Sequence, residues 1–134
     1  NDRIYLTGLS MGGYGTWKLA ANHPDTFAAA VPICGKGDPK DAVKLRDLPI
    51  WAWHGTDDTT VPFLGSLEMV DAIKSVGGSQ IRFTPLKHIG HASWQAAYQS
   101  EDLYRWLDKH RASTNKRAAN KAGAAGRQKH KKND

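Results

Sequence analysis

Four short apolar runs alternate along this chain with stretches of helical character, and that alternation constrains the fold more than any other feature. Ile4-Tyr5-Leu6-Thr7, Ala28 to Cys34, Ile50-Trp51-Ala52-Trp53-His54 and Ile81 to Leu86 have strand length and strand composition. Between them, Tyr14 to Asn22 reads as a helix stopped by His23-Pro24, since proline disfavours helical backbone in the residue before it. Asp38-Pro39 opens a short polar helix that ends before Leu48-Pro49. Leu67, Val70 and Ile73 share a helical face that Gly77-Gly78 closes. Ser100 is expected to cap a last helix whose Leu103, Trp106 and Leu107 form a buried stripe. Strand and helix in this rhythm predict an α/β layer built on a parallel sheet. No internal repeat interrupts it.

Composition narrows the alternatives. The 134 residues are 40% hydrophobic and 24% charged, which suits one domain with a modest core. The longest apolar runs are strand-sized, so no membrane span is expected. Cys34 is the lone cysteine and reads as a small buried hydrophobe rather than a reactive thiol. The formal charge of +6 is confined to residues 112–134, where seven Lys and Arg face Asp134 alone, while residues 1–111 balance. That tail has no apolar side chain larger than alanine and is expected to be disordered. It lacks the aromatic interleaving of a nucleic-acid binder, so no nucleic-acid partner is expected.

The first strand runs into Gly8-Leu9-Ser10-Met11-Gly12, with Gly13 and a helix following. A serine on a sharp strand-to-helix turn needs small neighbours two positions either side, because the backbone folds back tightly there. The turn lifts the hydroxyl clear of the sheet and aims the Met11 N–H and the helix N-terminus at a developing oxyanion. A serine hydroxyl needs a base to take its proton and an acid to orient that base. Candidates for both fall just past the last two strands: Asp57 and Asp58 in His54-Gly55-Thr56-Asp57-Asp58, and His88 and His91 in Lys87-His88-Ile89-Gly90-His91. Those are the strand ends where α/β sheets place ligands. No His, Cys or Asp cluster has metal-ligand spacing along the sequence, so neither metal nor cofactor is expected.

The segments Gly8 to Trp17, His54 to Pro62 and Gly90-His91-Ala92-Ser93-Trp94 resemble α/β-hydrolases of the phospholipase/carboxylesterase and "predicted peptidase" type, related to dienelactone hydrolases and prolyl-oligopeptidase catalytic domains. The resemblance spans residues 1 to about 110. It implies the last four strands of an eight-stranded sheet, hence a C-terminal half, with 1–111 as the partial catalytic domain and 112–134 as tail. It implies Ser10 as nucleophile, Asp58 rather than Asp57 as acid, and His91, directly after Gly90, as base. A second oxyanion donor would come from a loop after the third strand, so the segment by itself is expected to be a poor enzyme. Tyr14 and Trp94 flank the implied site as pocket candidates, while His54 and His88 are read as structural or surface residues and His23, His110 and His130 as exposed helix-end or tail residues. The implied activity is cleavage of carboxylic esters through an acyl-enzyme, with an ester as substrate partner. A serine peptidase of the prolyl-oligopeptidase kind shares the same constellation. The reading from a different class is a non-catalytic module that binds anions through its basic tail.

Overall fold

A computed structural model describes residues 1–112. The elements are β1 (Tyr5–Leu9), α1 (Met11–Asn22), β2 (Ala29–Ile33), a 3-10 turn (Pro39–Asp41) running into α2 (Ala42–Leu45), β3 (Ile50–Gly55), α3 (Leu64–Ser75), β4 (Ile81–Leu86), α4 (Trp94–Gln99) and α5 (Glu101–Asp108). The four strands form one parallel sheet in the order β1-β2-β3-β4. Parallel neighbours need crossover connections, and the intervening helices supply them.

Alternation within β2 and β3 explains why both are apolar but for His54, whose ring nitrogens are paired inside the protein. Ala30, Ile50 and Ala52 face one core with Trp17, Leu45, Met69 and Ile73, which belong to α1, α2 and α3. Val31, Ile33, Trp51 and Trp53 face the opposite core with Ala97 and Leu103 of α4 and α5. A strand covered on both faces admits a polar residue only where its polar atoms find partners. Trp51 and Trp53 stack at 4.8 Å between ring centroids, and Trp106 meets Trp51 edge-on at 5.6 Å. Arg82, on the edge strand β4, covers the outer face of Trp51 at 3.6 Å.

The chain's two described ends are tied together. Ala112 N–H donates to the Asp2 carbonyl at 2.7 Å, and the Tyr5 hydroxyl donates to the His110 carbonyl at 3.2 Å. Ala112 is buried, and the rest of the basic tail, with His130, lies outside the described residues.

Three sequence expectations need adjustment. The helix α4 was not expected, because its six residues are too few to show a period. Ser100 does stand at the N-cap of α5 with extended backbone, but its side chain makes no capping hydrogen bond. His110 is half-buried against Trp106, 4.7 Å between rings, rather than exposed. Burial pushes its imidazole below the usual range, with nearby Lys109 acting in the same direction.

Candidate active site

The register of the sheet aligns the C-terminal ends of the four strands. Leu9 pairs with Ile33, Ile33 with Trp53, and Gly55 with Leu86. The segments that leave β1, β3 and β4 at that edge carry Ser10, Asp58 and His91 in turn.

Ser10 follows β1 at φ 55° and ψ −117°, a backbone conformation that few non-glycine residues adopt. Its N–H donates to the Ile33 carbonyl at 3.0 Å, and its own carbonyl accepts from Gly13 and Tyr14. These bonds tie the turn to β2 on one side and α1 on the other. Close backbone contact makes this possible: a methyl group on Gly13 would lie 2.5 Å from the Ile33 carbonyl oxygen, and Gly35 abuts Gly13 in return. Met11 is the first residue of α1, so its N–H heads the helix beside the Ser10 hydroxyl.

Asp58 sits in the loop after β3 with its side chain fully buried. Its Oδ1 accepts the N–H groups of Thr60 and Val61, both at 2.9 Å. Its Oδ2 accepts His91 Nδ1–H at 2.8 Å, and His91 Nε2 lies 2.8 Å from Ser10 Oγ. A carboxylate can only accept, so Nδ1 holds the ring hydrogen and Nε2 is left as an acceptor for the serine proton. Burial pushes the Asp58 carboxyl up. The His91 hydrogen bond, the two backbone N–H groups and the His91 charge outweigh it and hold the group below the usual carboxylate range.

That depressed value carries a sign. Asp58 adds stability above the ordinary carboxylate value and loses it as pH falls through its own lower one. Acidification through that window is therefore expected to lower the melting temperature more for the natural protein than for Asp58→Asn. Thermal melts at stepped pH would check this; parallel curves would contradict it.

His91 arrives on a loop that rests against β3. A methyl group on Gly55 would lie 2.2 Å from the Ile89 carbonyl oxygen and 2.3 Å from that of Gly90. Only the missing side chain lets the loop approach, so Gly55→Ala is expected to cost about 1–3 kcal/mol through overpacking. It should also push His91 away from Ser10. Denaturant titration and turnover measured together would show both losses.

The remaining candidates separate cleanly. Asp57 and His88 are exposed and face each other, Oδ2 to Nδ1 at 3.8 Å, with no link to Ser10. The same two loops thus supply two Asp–His pairs, of which one reaches the serine. The Trp94 ring meets the His91 ring edge-on at 5.6 Å. Tyr14 instead lines a cavity of about 340 Å³ with Lys18, Lys36, Gly37, Asp38 and Asp41.

Two contacts were not visible in the sequence. Cys34, fully buried with φ 43°, places its Sγ 3.3 Å from the Ser10 nitrogen. Burial pushes its thiol up, as expected of a buried small hydrophobe. The sulfur, the Asp58 carboxylate and the His91 ring bring donor atoms within 4.8 Å of one another, a grouping no sequence spacing displays. Within it, both His91 nitrogens and both Asp58 oxygens already hold hydrogen-bond partners. The second contact is His54, also fully buried, with Nε2 3.2 Å from Asp58 Oδ2.

Comparison with solved structures places the fold. The chain superimposes on a thermostable esterase with a TM-score of 0.79 and 39% identity, over 82% of this chain and 31% of that one. The chain belongs to the α/β-hydrolase superfamily. A more distant α/β-hydrolase, acyl-protein thioesterase 2 of Zea mays, matches 77% of the chain and 54% of its own length at a TM-score of 0.62 and 20% identity, a likeness of fold. Among curated proteins, poly(3-hydroxyalkanoate) depolymerase C of Paucimonas lemoignei is 54% identical over 58 residues, which is 43% of this chain and 14% of the depolymerase. This α/β-hydrolase chain therefore spans less than a third of the depolymerase and of the thermostable esterase. No protein-family model matches it. No helix among the described residues is long and apolar enough to cross a membrane.

Proposed function

We propose that this chain carries the nucleophile, base and acid of a serine esterase: Ser10, His91 and Asp58. The observation that carries the reading is the unbroken chain of two 2.8 Å hydrogen bonds from Ser10 Oγ through the His91 ring to Asp58 Oδ2. Ser10 Oγ attacks the acyl carbon while its proton passes to His91 Nε2. Asp58 holds Nδ1–H and stabilises the imidazolium that results. The carbonyl oxygen gains charge in front of the Met11 N–H and the α1 N-terminus, which are fixed before the reaction begins. Collapse of the adduct returns the proton from His91 to the departing alcohol and leaves an acyl-serine. Water, deprotonated by the same imidazole, then releases the acid. No redox or group-carrying cofactor enters these steps.

Carboxylic esters are the substrate class favoured by two of the matches, an esterase at 39% identity and a poly(3-hydroxyalkanoate) depolymerase at 54%. The test is a panel on the full-length protein: p-nitrophenyl esters of graded acyl length, soluble 3-hydroxyalkanoate oligomers, and peptide amides. Turnover of esters with peptide amides left intact is the expected outcome. Cleavage of the amides at comparable kcat/KM would move the assignment to a peptidase.

A further inference from the structure

His54 is the penultimate residue of β3, its side chain out of reach of solvent, four residues before Asp58. Its Nε2 faces two oxygens, the Val61 carbonyl at 2.8 Å and Asp58 Oδ2 at 3.2 Å. A carbonyl and a carboxylate can only accept, so Nε2 carries the hydrogen. Nδ1 then accepts the Ser66 O–H at 2.7 Å, which leaves that hydroxyl no hydrogen for the Gly35 carbonyl 3.4 Å away. The ring is held on its face by Phe63, edge-on at 5.9 Å.

The two contacts of Nε2 bear on Asp58. The residue Val61 donates its N–H to Asp58 Oδ1 and accepts His54 Nε2–H at its carbonyl. The turn from Asp58 to Val61 is thus pinned at both ends of one residue. Asp58 Oδ2 sits between two imidazole nitrogens, His91 Nδ1 and His54 Nε2, both hydrogen-bearing. On its other side, the ring accepts the Ser66 O–H at Nδ1, which fixes its rotation and keeps Nε2 turned to Val61 and Asp58. A buried network with each member satisfied has few alternative arrangements, which suits a group that must not move.

We infer that His54 is a positioning residue: its Nε2–H pins the Asp58–Val61 turn and flanks Oδ2, so that Asp58 meets His91 in a single geometry. This rests on the proposed roles of Ser10, Asp58 and His91. His54 touches neither substrate nor the serine and acts only through the carboxylate.

A double-mutant cycle on ester turnover in the full-length protein tests this. H54F keeps the ring volume and the contact with Phe63 but removes both nitrogens. H54Q places an N–H near the position of Nε2. Loss of a residue that orients a reacting group typically costs about 10- to 100-fold, and H54F is expected to lower kcat by that factor with KM little changed. H54Q is expected to recover most of it. In a D58N background H54F should have almost no further effect, because the carboxylate it acts through is gone. A merely structural histidine would cost the same factor in both backgrounds, and that result, or equal losses in H54F and H54Q, would overturn the inference. Should thermal melts show H54F unfolded, H54M, a flexible apolar side chain with no hydrogen to donate, takes its place in the cycle with the same expectation. Near-normal turnover by D58N alone would sink the triad itself, and this inference with it.

Discussion

Ser10→Ala is expected to abolish ester turnover in the full-length protein, with a fall in kcat of about 10⁶ and folding unaffected. The loss is expected to be so large because, in the proposed mechanism, this hydroxyl forms the acyl bond, and His91 Nε2 lies 2.8 Å from it. Members of such a group act as a unit, so His91→Ala should cost a similar factor and the double variant little more than either. What persists is the catalysis supplied by the Met11 N–H and the head of α1, which neither substitution disturbs. Folding should hold, since Ser10 is only half-buried and alanine removes one oxygen from the end of a strand. Progress curves at high enzyme concentration, beside thermal melts of the same samples, would check both halves. A loss of under tenfold would mean that another residue makes the bond.

Asp58→Asn is the second large effect, expected at about 10⁴ in kcat. An amide offers its NH₂ or its oxygen to His91, and the wrong choice reverses the ring so that Nε2 can no longer accept the serine proton. The neighbouring Asp57→Asn provides the contrast. Asp57 is exposed, and its contact with His88 is 3.8 Å long between two solvated groups, an arrangement that contributes little. Its substitution is expected to change kcat less than about threefold, in line with other exposed positions. Two adjacent carboxylates with effects separated by three or more orders of magnitude would follow directly from their burial. The opposite ranking would mean that the loop holds its acid in the other register.

The difference between these two aspartates was legible in the sequence only through the resemblance, which implied Asp58. The residue pattern by itself left Asp57 and Asp58, and likewise His88 and His91, as alternatives. Strand positions were legible because β2 and most of β3, up to Trp53, are covered on both faces and so read as apolar runs. The Ser10 turn was legible because Gly8 and Gly13 answer to backbone contacts that leave no room for a side chain, whereas Gly12, expected to be required two positions after Ser10, has open space where a side chain would stand. Features set by distant partners were not legible. Cys34 meets the Ser10 nitrogen across 24 residues, and His54 reads as a strand residue until the 58–61 turn folds back onto its Nε2. The half-burial of His110 depends on Trp106 beside it and on Tyr5, 105 residues earlier. Helix α4 is held by Ala97 in the core rather than by its own period.

Labelling by a fluorophosphonate probe tests the central claim most directly, because the probe reacts with a serine only when a base activates it and oxyanion donors receive the charge. On the full-length protein, the account predicts a single phosphonyl adduct, mapped by mass spectrometry to the peptide containing Ser10. It should be absent in Ser10→Ala and strongly slowed in His91→Ala. An adduct on any other serine, or equal labelling of the natural protein and Ser10→Ala, would contradict it.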